Sequence, residues 1–202
     1  MKIIGLTGQS GAGKGMFASA LRQYGIPCLD TDITARSVVE KDKPCLGELT
    51  ECFGADILFS DGTLDRKKLG KIVFSDKTAL ARLNSITHKY ITEQVKIWLK
   101  KQEASGFAAA VIDAPQLFES GENSICDITV AVLCDEETRI ARIISRDNIT
   151  QAYAKARAAS QKDDAFFKAN CDHIIYNNGT EAELAQKALE FLHQNNIPVK
   201  GE

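Results

Sequence analysis

Short apolar runs alternate with longer amphipathic stretches along the chain. Five runs read as buried strands: Lys2 to Leu6, Pro27 to Leu29, Ala108 to Ile112, Ile128 to Leu133 and His173 to Tyr176. Each is brief, partly β-branched and followed by Gly, Asp or Asn. Runs of this kind separated by helical patterns predict a parallel sheet with helices on both faces. A helix is expected from about Lys14 to Tyr24, and the longest helical pattern extends from near Asp76 to before Gly106. Within it Leu80, Leu83, Tyr90, Ile91, Val95 and Trp98 recur at three- and four-residue steps, which predicts one buried face.

Two sections do not fit a plain strand–helix alternation. Residues 31–75, holding Gly54, Asp61-Gly62 and two short helical patterns, are too long for a crossover and are expected to form a substrate-side subdomain. A polar excursion from about Asn148 to Asn170 contains Ala154, Ala156, Ala158 and Ala159 and little apolar mass. Its composition suits either a helical flap over a site or a surface helix.

The first strand leads into Gly8-Gln9-Ser10-Gly11-Ala12-Gly13-Lys14, the GxxxxGK part of a phosphate-binding loop. Glycines let successive N–H groups point inward at phosphate oxygens, and the following helix adds its positive end. Lys14 supplies a charge for the β- and γ-phosphates. The pattern then asks for Ser or Thr as a Mg²⁺ ligand, but Gly15 and Met16 stand there, and Ser10 and Ser19 are not placed to replace it.

Composition narrows the classes without naming a function. The chain has 202 residues, 44% hydrophobic and 26% charged, with 25 Lys+Arg against 27 Asp+Glu for a net charge of −2. That excludes collagen-like, low-complexity and disordered chains, and argues against a dedicated nucleic-acid or membrane-surface binder. The six cysteines form no CxxC pair and no zinc spacing, and no signal-like segment or 18-residue apolar stretch occurs. A reduced, cytoplasmic protein is expected. The neutral total conceals one positive segment: from Arg139 to Arg157 there are five basic residues and only Asp147 as an acid.

Other residues offer chemistry with a structural alternative beside each. Asp30-Thr31-Asp32 ends the second strand, where a carboxylate could take a proton from an attacking hydroxyl; Thr31 or Asp32 could equally cap the next helix. Asp113 ends the strand before Pro115, either as a Walker-B metal carboxylate or as a turn residue. Arg139, Arg142 and Arg146 share one helix face, with Lys155 and Arg157 beyond, and suit charge stabilisation of a transferring phosphoryl group or a solvated face. His88 is a lone histidine in the long helix; His173 and His193 suggest no role.

In their order and spacing these residues resemble the dephospho-CoA kinase family from Ile4 to Gly179. Gly5-Leu6-Thr7-Gly8 through Lys14 is similar to its phosphate loop, and Asp30 to Arg36 to its DxDxxAR segment. Phe53-Gly54, Asp61 to Arg66 and Leu69 resemble FG…DGTLDR…L; Leu83 to His88 resemble LNxIxH; Asp113 to Glu119 resemble DxPLLFE. Arg146-Asp147, Arg157, Gln161, Asp172 and Asn177-Asn178-Gly179 are similar to its flap and last strand. Departures are Gly15-Met16, Lys89 for a proline, Gln116 for a leucine, and Phe167 for a lysine, with Lys168 next to it.

The resemblance implies a P-loop, three-layer α/β/α fold with a five-stranded parallel sheet and helical insertions. The core would be residues 1–30, 106–147 and 171–202, the CoA-binding subdomain 31–105 and the lid 148–170. It implies phosphorylation of the 3′-hydroxyl of dephospho-CoA by ATP with Mg²⁺; no nucleic-acid or membrane partner is expected, and no obligatory protein partner is evident. Asp32, Lys14, Arg142 and Arg146 would be catalytic and Asp113 the metal residue. Gly8, Gln9, Ser10, Gly11, Ala12, Gly13, Lys14, Gly15, Met16 and Asn178 would bind the nucleotide. Thr7, Asp32, Arg36, His88, Leu117, Arg157 and Gln161 would bind the acceptor. Two alternatives stand beside this: a related small-molecule kinase, and a binding homologue whose turnover is weak or lost because of Gly15.

Overall fold

A computed structural model of the chain describes residues 1–200. In chain order the elements are β1 (Lys2–Gly8), α1 (Lys14–Gln23), β2 (Cys28–Asp30), α2 (Thr31–Ser37), α3 (Pro44–Phe53), α4 (Arg66–Ser75) and α5 (Lys77–Ala104). They continue with β3 (Ala109–Asp113), β4 (Ile128–Leu133), α6 (Glu136–Asp147), α7 (Gln151–Ala159), α8 (Asp164–Asn170), β5 (His173–Tyr176) and α9 (Glu181–Gln194). The chain divides into two compact units, one of residues 1–29 and 100–202 and the other of residues 30–99.

The first unit is built on a five-stranded sheet of order β2-β3-β1-β4-β5. β1 is flanked by parallel β3 and β4, and β4 by parallel β5. Successive side chains of a strand point to opposite faces, and β4 uses both. Val130 and Val132 join a core with Ile4, Leu6, Phe17, Leu21 and Phe191, which seats α1 and α9 on one face. Ala131 and Leu133 pack against Phe167 of α8 on the other. The result is the three-layer α/β/α arrangement with helical insertions.

The excursion after Asn148 is therefore anchored. It makes two helices, and Phe167 is buried at the sheet where little apolar mass was expected. Burying a phenylalanine contributes roughly 2–3 kcal/mol. The other end of the excursion packs too: Ala154 of α7 is buried against Ile140 and Ile143 of α6.

The second unit has its own core. Val38, Val39, Cys45, Leu49, Ile57, Leu69, Val73 and Ala79 are buried together. Residues 31–75 form three α-helices and a short 3₁₀ turn at Ala55–Ile57, more than the two helical patterns in the sequence. The apolar stripe of α5 is shallower than its periodicity predicts. Of its six members only Val95 is buried, and Ala79 and Leu99 complete the covered face. Lys89, where a proline usually stands in the family, leaves α5 unbroken and pairs with Glu48 at 2.9 Å.

All six cysteines are free thiols. Burial pushes Cys28 and Cys126 up to about 12 and Cys45 and Cys171 up to about 11, so these behave as core atoms rather than nucleophiles. Among the described residues, no helix is long and apolar enough to cross a membrane.

Candidate active site

The phosphate loop joins β1 to α1 at the carboxyl edge of the sheet. Gly13 opens α1 in the left-handed region at φ 95°, and no side chain caps the helix. Met16 N and Phe17 N turn back to Gly13 O at 3.0 and 3.1 Å, which leaves the Lys14 and Gly15 N–H groups at the helix start for an anion. A Cβ on Gly13 would collide with the Asn177 amide, and one on Gly8 would collide with the backbone of Val132. The loop is close-packed from behind and accepts only glycine at both places.

Lys14 Nζ forms an ion pair with the Asp113 carboxylate at the end of β3. Asp113 is 4% exposed, and a buried carboxylate of this kind keeps its charge through a partner, here Lys14. Ser10 Oγ, a nearby hydroxyl, accepts from Arg146 Nη2 at 3.2 Å. Gly15 has no atom within 4 Å of where its Cβ would lie.

Of the α6 arginines, Arg139 is buried and Arg142 half-buried, while Arg146 is exposed. Arg139 donates to Ala158 O at 3.5 Å. Arg142 Nη1 reaches Gly11 O, Ala12 O and Asn177 O at 3.4, 3.5 and 3.2 Å, bracing the loop from outside. Arg146 forks onto Asp147 through Nε and Nη2 at 2.8 and 2.9 Å. Arg157 Nη1 donates to the same carboxylate at 2.7 Å. The Arg146 hydrogen bonds hold the Asp147 carboxyl below the usual carboxylate range.

The segment after α7 is bonded to the loop as well. Gln161 Oε1 accepts from Ser10 N at 3.0 Å, and Gln9 Nε2 donates to Lys162 O at 3.1 Å. Gln9 Oε1 is buried without a hydrogen-bond partner. A cleft of about 350 Å³ opens here, lined in part by Thr7, Gly8, Gln9, Pro115, Phe118 and Gln161. Thr7 Oγ1 donates to Pro115 O at 3.4 Å, which ties β1 to the turn after β3.

Comparison with known proteins identifies the family of the chain. The sequence profile described as dephospho-CoA kinase matches residues 2–183. The chain is 38% identical to the Shouchella clausii dephospho-CoA kinase over 189 residues, 94% of this chain and 96% of the relative. It is 37% identical to the Listeria innocua dephospho-CoA kinase, covering 96% of each. The chain belongs to the dephospho-CoA kinase family.

Solved structures agree with that membership. The Campylobacter jejuni dephospho-CoA kinase superposes with a TM-score of 0.72 at 25% identity, over 98% of this chain and 100% of that one. A Thermus thermophilus structure gives 0.80 at 28%, over 96% and 97%. An Acinetobacter baumannii shikimate kinase, at 0.55 and 17%, shares the fold.

The dephospho-CoA kinase motif residues fall in both units. The phosphate loop, Asp113, Arg142, Arg146, Arg157 and Gln161 come together in the first. Asp32, Arg36 and His88 lie in the second. There Asp30, not Thr31 or Asp32, caps α2, accepting from Asp32 N at 2.8 Å and Ile33 N at 3.2 Å. The cap belongs to the last strand residue because the helix begins at Thr31, two residues before the Ile33 start that a cap at Asp32 requires. The Asp32 side chain is exposed, as is Arg36, while His88 is half-buried and its pKa is lowered by that burial.

Leu117 departs from expectation. It has no exposed surface and its methyls lie where a Cβ on Gly5 would be, so it is a core residue beneath β1 rather than a surface for substrate. Asn178 Oδ1 accepts from Asp135 N at 3.0 Å. Its neighbour Asn177 was the residue to single out: it is 2% exposed, and its Nδ2 donates to Ala12 O at 2.8 Å. The Asn-Asn-Gly run at the end of β5 was the available signal.

Proposed function

We propose that the protein transfers the γ-phosphoryl group of ATP to the 3′-hydroxyl of the dephospho-CoA ribose, giving coenzyme A and ADP. The observation that carries this reading is the glycine cradle with Lys14 paired to buried Asp113, in a chain of the dephospho-CoA kinase family.

The residues fit the nucleotide and its metal. The uncapped start of α1 and the left-handed glycines make an anion nest from residues Gly8 to Met16. No group of three or more His, Cys, Asp or Glu side chains able to hold a metal occurs among the described residues. Mg²⁺ needs no such cage: one carboxylate with phosphate oxygens and water suffices, and Asp113 is that carboxylate. When bound, the ion neutralises charge on the β- and γ-phosphates.

Asp32 accepts the proton of the 3′-hydroxyl as its oxygen attacks, and the bond from the γ-phosphorus to the bridging oxygen of ADP breaks. Its carboxylate is available for this because Asp30 performs the helix capping. Lys14 neutralises charge on the transferring group and Arg142 holds the loop in shape; Arg146 approaches from the α6 end. Residues 148–170 act as the lid, with Arg157 and Gln161 on its inner side. Arg36 and His88 receive the acceptor, in a protein working in the cytoplasm.

Gly15 supports a second reading, a nucleotide-binding homologue with reduced turnover. Steady-state ADP release from ATP with dephospho-CoA, titrated with Mg²⁺, separates the two. Turnover that saturates with Mg²⁺ supports the kinase; ATP binding with no turnover at any Mg²⁺ concentration leaves only the binding homologue.

A further inference from the structure

A single carboxylate joins Arg146 of α6 to Arg157 of α7. Asp147 is the last residue of α6, and Asn148 after it adopts the left-handed conformation that turns the chain toward α7. Arg146 forks onto both oxygens of Asp147, and Arg157 of α7 adds a bond to Oδ2. Arg146 Nη2 also reaches the loop hydroxyl of Ser10. Asp147 is thus the only acid in a segment of five basic residues, and it ties α6, α7 and the phosphate loop together.

We propose that Asp147 is a built-in competitor for the nucleotide's phosphates, holding Arg146 and Arg157 in the resting protein and yielding Arg146 when a polyphosphate binds. A guanidinium fork fits a phosphate as well as a carboxylate, so the same two donors cannot serve both. A polyphosphate carries more charge than one carboxylate and displaces it. The Asp147 side chain is 24% exposed, so the pair is solvated enough to exchange without stranding a buried charge. Arg157 keeps Asp147 neutralised during the exchange. Asp147 is then a positioning residue: it weakens binding of ATP and ADP, and it keeps Arg146 at the loop between turnovers.

This inference rests on the nucleotide binding of the proposed function and not on its phosphoryl transfer, so its test does not need turnover. Calorimetric titration of ADP and of inorganic tripolyphosphate compares the wild-type protein with Asp147→Asn, Asp147→Glu and Glu136→Gln. Glu136 lies in the first turn of the same helix and controls for loss of one negative charge. The expected result is binding tighter by about twofold to fivefold in Asp147→Asn, little change in Glu136→Gln, and near wild-type affinity in Asp147→Glu. In the transfer assay KM for ATP falls in Asp147→Asn while kcat does not rise. Unchanged or weaker binding in a folded Asp147→Asn overturns the proposal, as does equal tightening in Glu136→Gln. If Asp147→Asn does not fold, the ¹³C carboxyl resonance of Asp147 in the wild-type protein decides: saturating ADP should shift it, and an unmoved resonance overturns the exchange. Absence of CoA synthesis with ADP affinity behaving as described removes the kinase reading and leaves this one standing.

Discussion

The side-chain amide of Asn177 occupies the space that a Cβ on Gly13 would fill, and its Nδ2 donates to Ala12 O at 2.8 Å. The end of β5 thereby fixes the back of the phosphate loop. Asn177→Ala removes the shorter of two hydrogen bonds to Ala12 O, leaving Arg142 Nη1 at 3.5 Å, and should cost about 0.5–1.5 kcal/mol in stability, with ADP affinity falling as the loop relaxes. Gly13→Ala should be worse, since it adds a collision to an unfavourable backbone conformation. Thermal melting and calorimetry check both; wild-type ADP affinity in Asn177→Ala would detach the loop from β5.

Gly15 is the opposite case. Nothing lies within 4 Å of its Cβ position, so a side chain is admitted there, and replacing a helical glycine is favourable by roughly 0.5 kcal/mol. Gly15→Ser should fold at least as stably and reach half-maximal rate at lower Mg²⁺. An unchanged Mg²⁺ dependence means that another donor already does the work of the missing hydroxyl.

Asp30, which caps α2, and Asp32, in its first turn, should prove separable. Asp32→Asn should lower kcat by about 10²–10⁴ with ATP affinity nearly intact, as loss of a general base requires, and with stability little changed. Asp30→Ala should instead lose about 1 kcal/mol of stability through the helix cap. Denaturation and kinetics on the pair distinguish these roles, and a destabilised Asp32→Asn with normal kcat would reverse them.

His88 gives a pH signature. Burial lowers its pKa below the ordinary 6.5, so the imidazole is neutral at pH 7. The unfolded chain then binds the proton more readily than the folded one, and stability falls as pH drops from 6.5 through the folded value. The NMR midpoint of His88 should lie below 6.5, and His88→Gln should remove that part of the acid sensitivity. A midpoint at or above 6.5 contradicts a neutral His88 on the acceptor side.

The sheet was readable because its signals are local. β4 and β5 match their apolar runs residue for residue, each closed by a polar marker. The glycine-rich turn between β1 and α1 was readable from its spacing and from the strand before it and the helix after it. Helices α2, α3 and α4 have only 7 to 10 residues, too few turns for periodicity to separate them or to place the cap at Asp30. Phe167 was a lone aromatic in a polar stretch, and only the approach of α8 to Ala131 and Leu133 makes it core. The burial of Arg139 depends on the carbonyl of Ala158, and the importance of Asn177 depends on Ala12, partners that no sequence window contains.

Mass spectrometry of the products of ATP, Mg²⁺ and dephospho-CoA tests the kinase reading most directly. With ¹⁸O-labelled γ-phosphoryl ATP, labelled coenzyme A phosphorylated at the ribose 3′-oxygen should form in equal amount to ADP, and Asp32→Asn should suppress both. ADP formed without labelled coenzyme A, or no product while ATP binds, would contradict it.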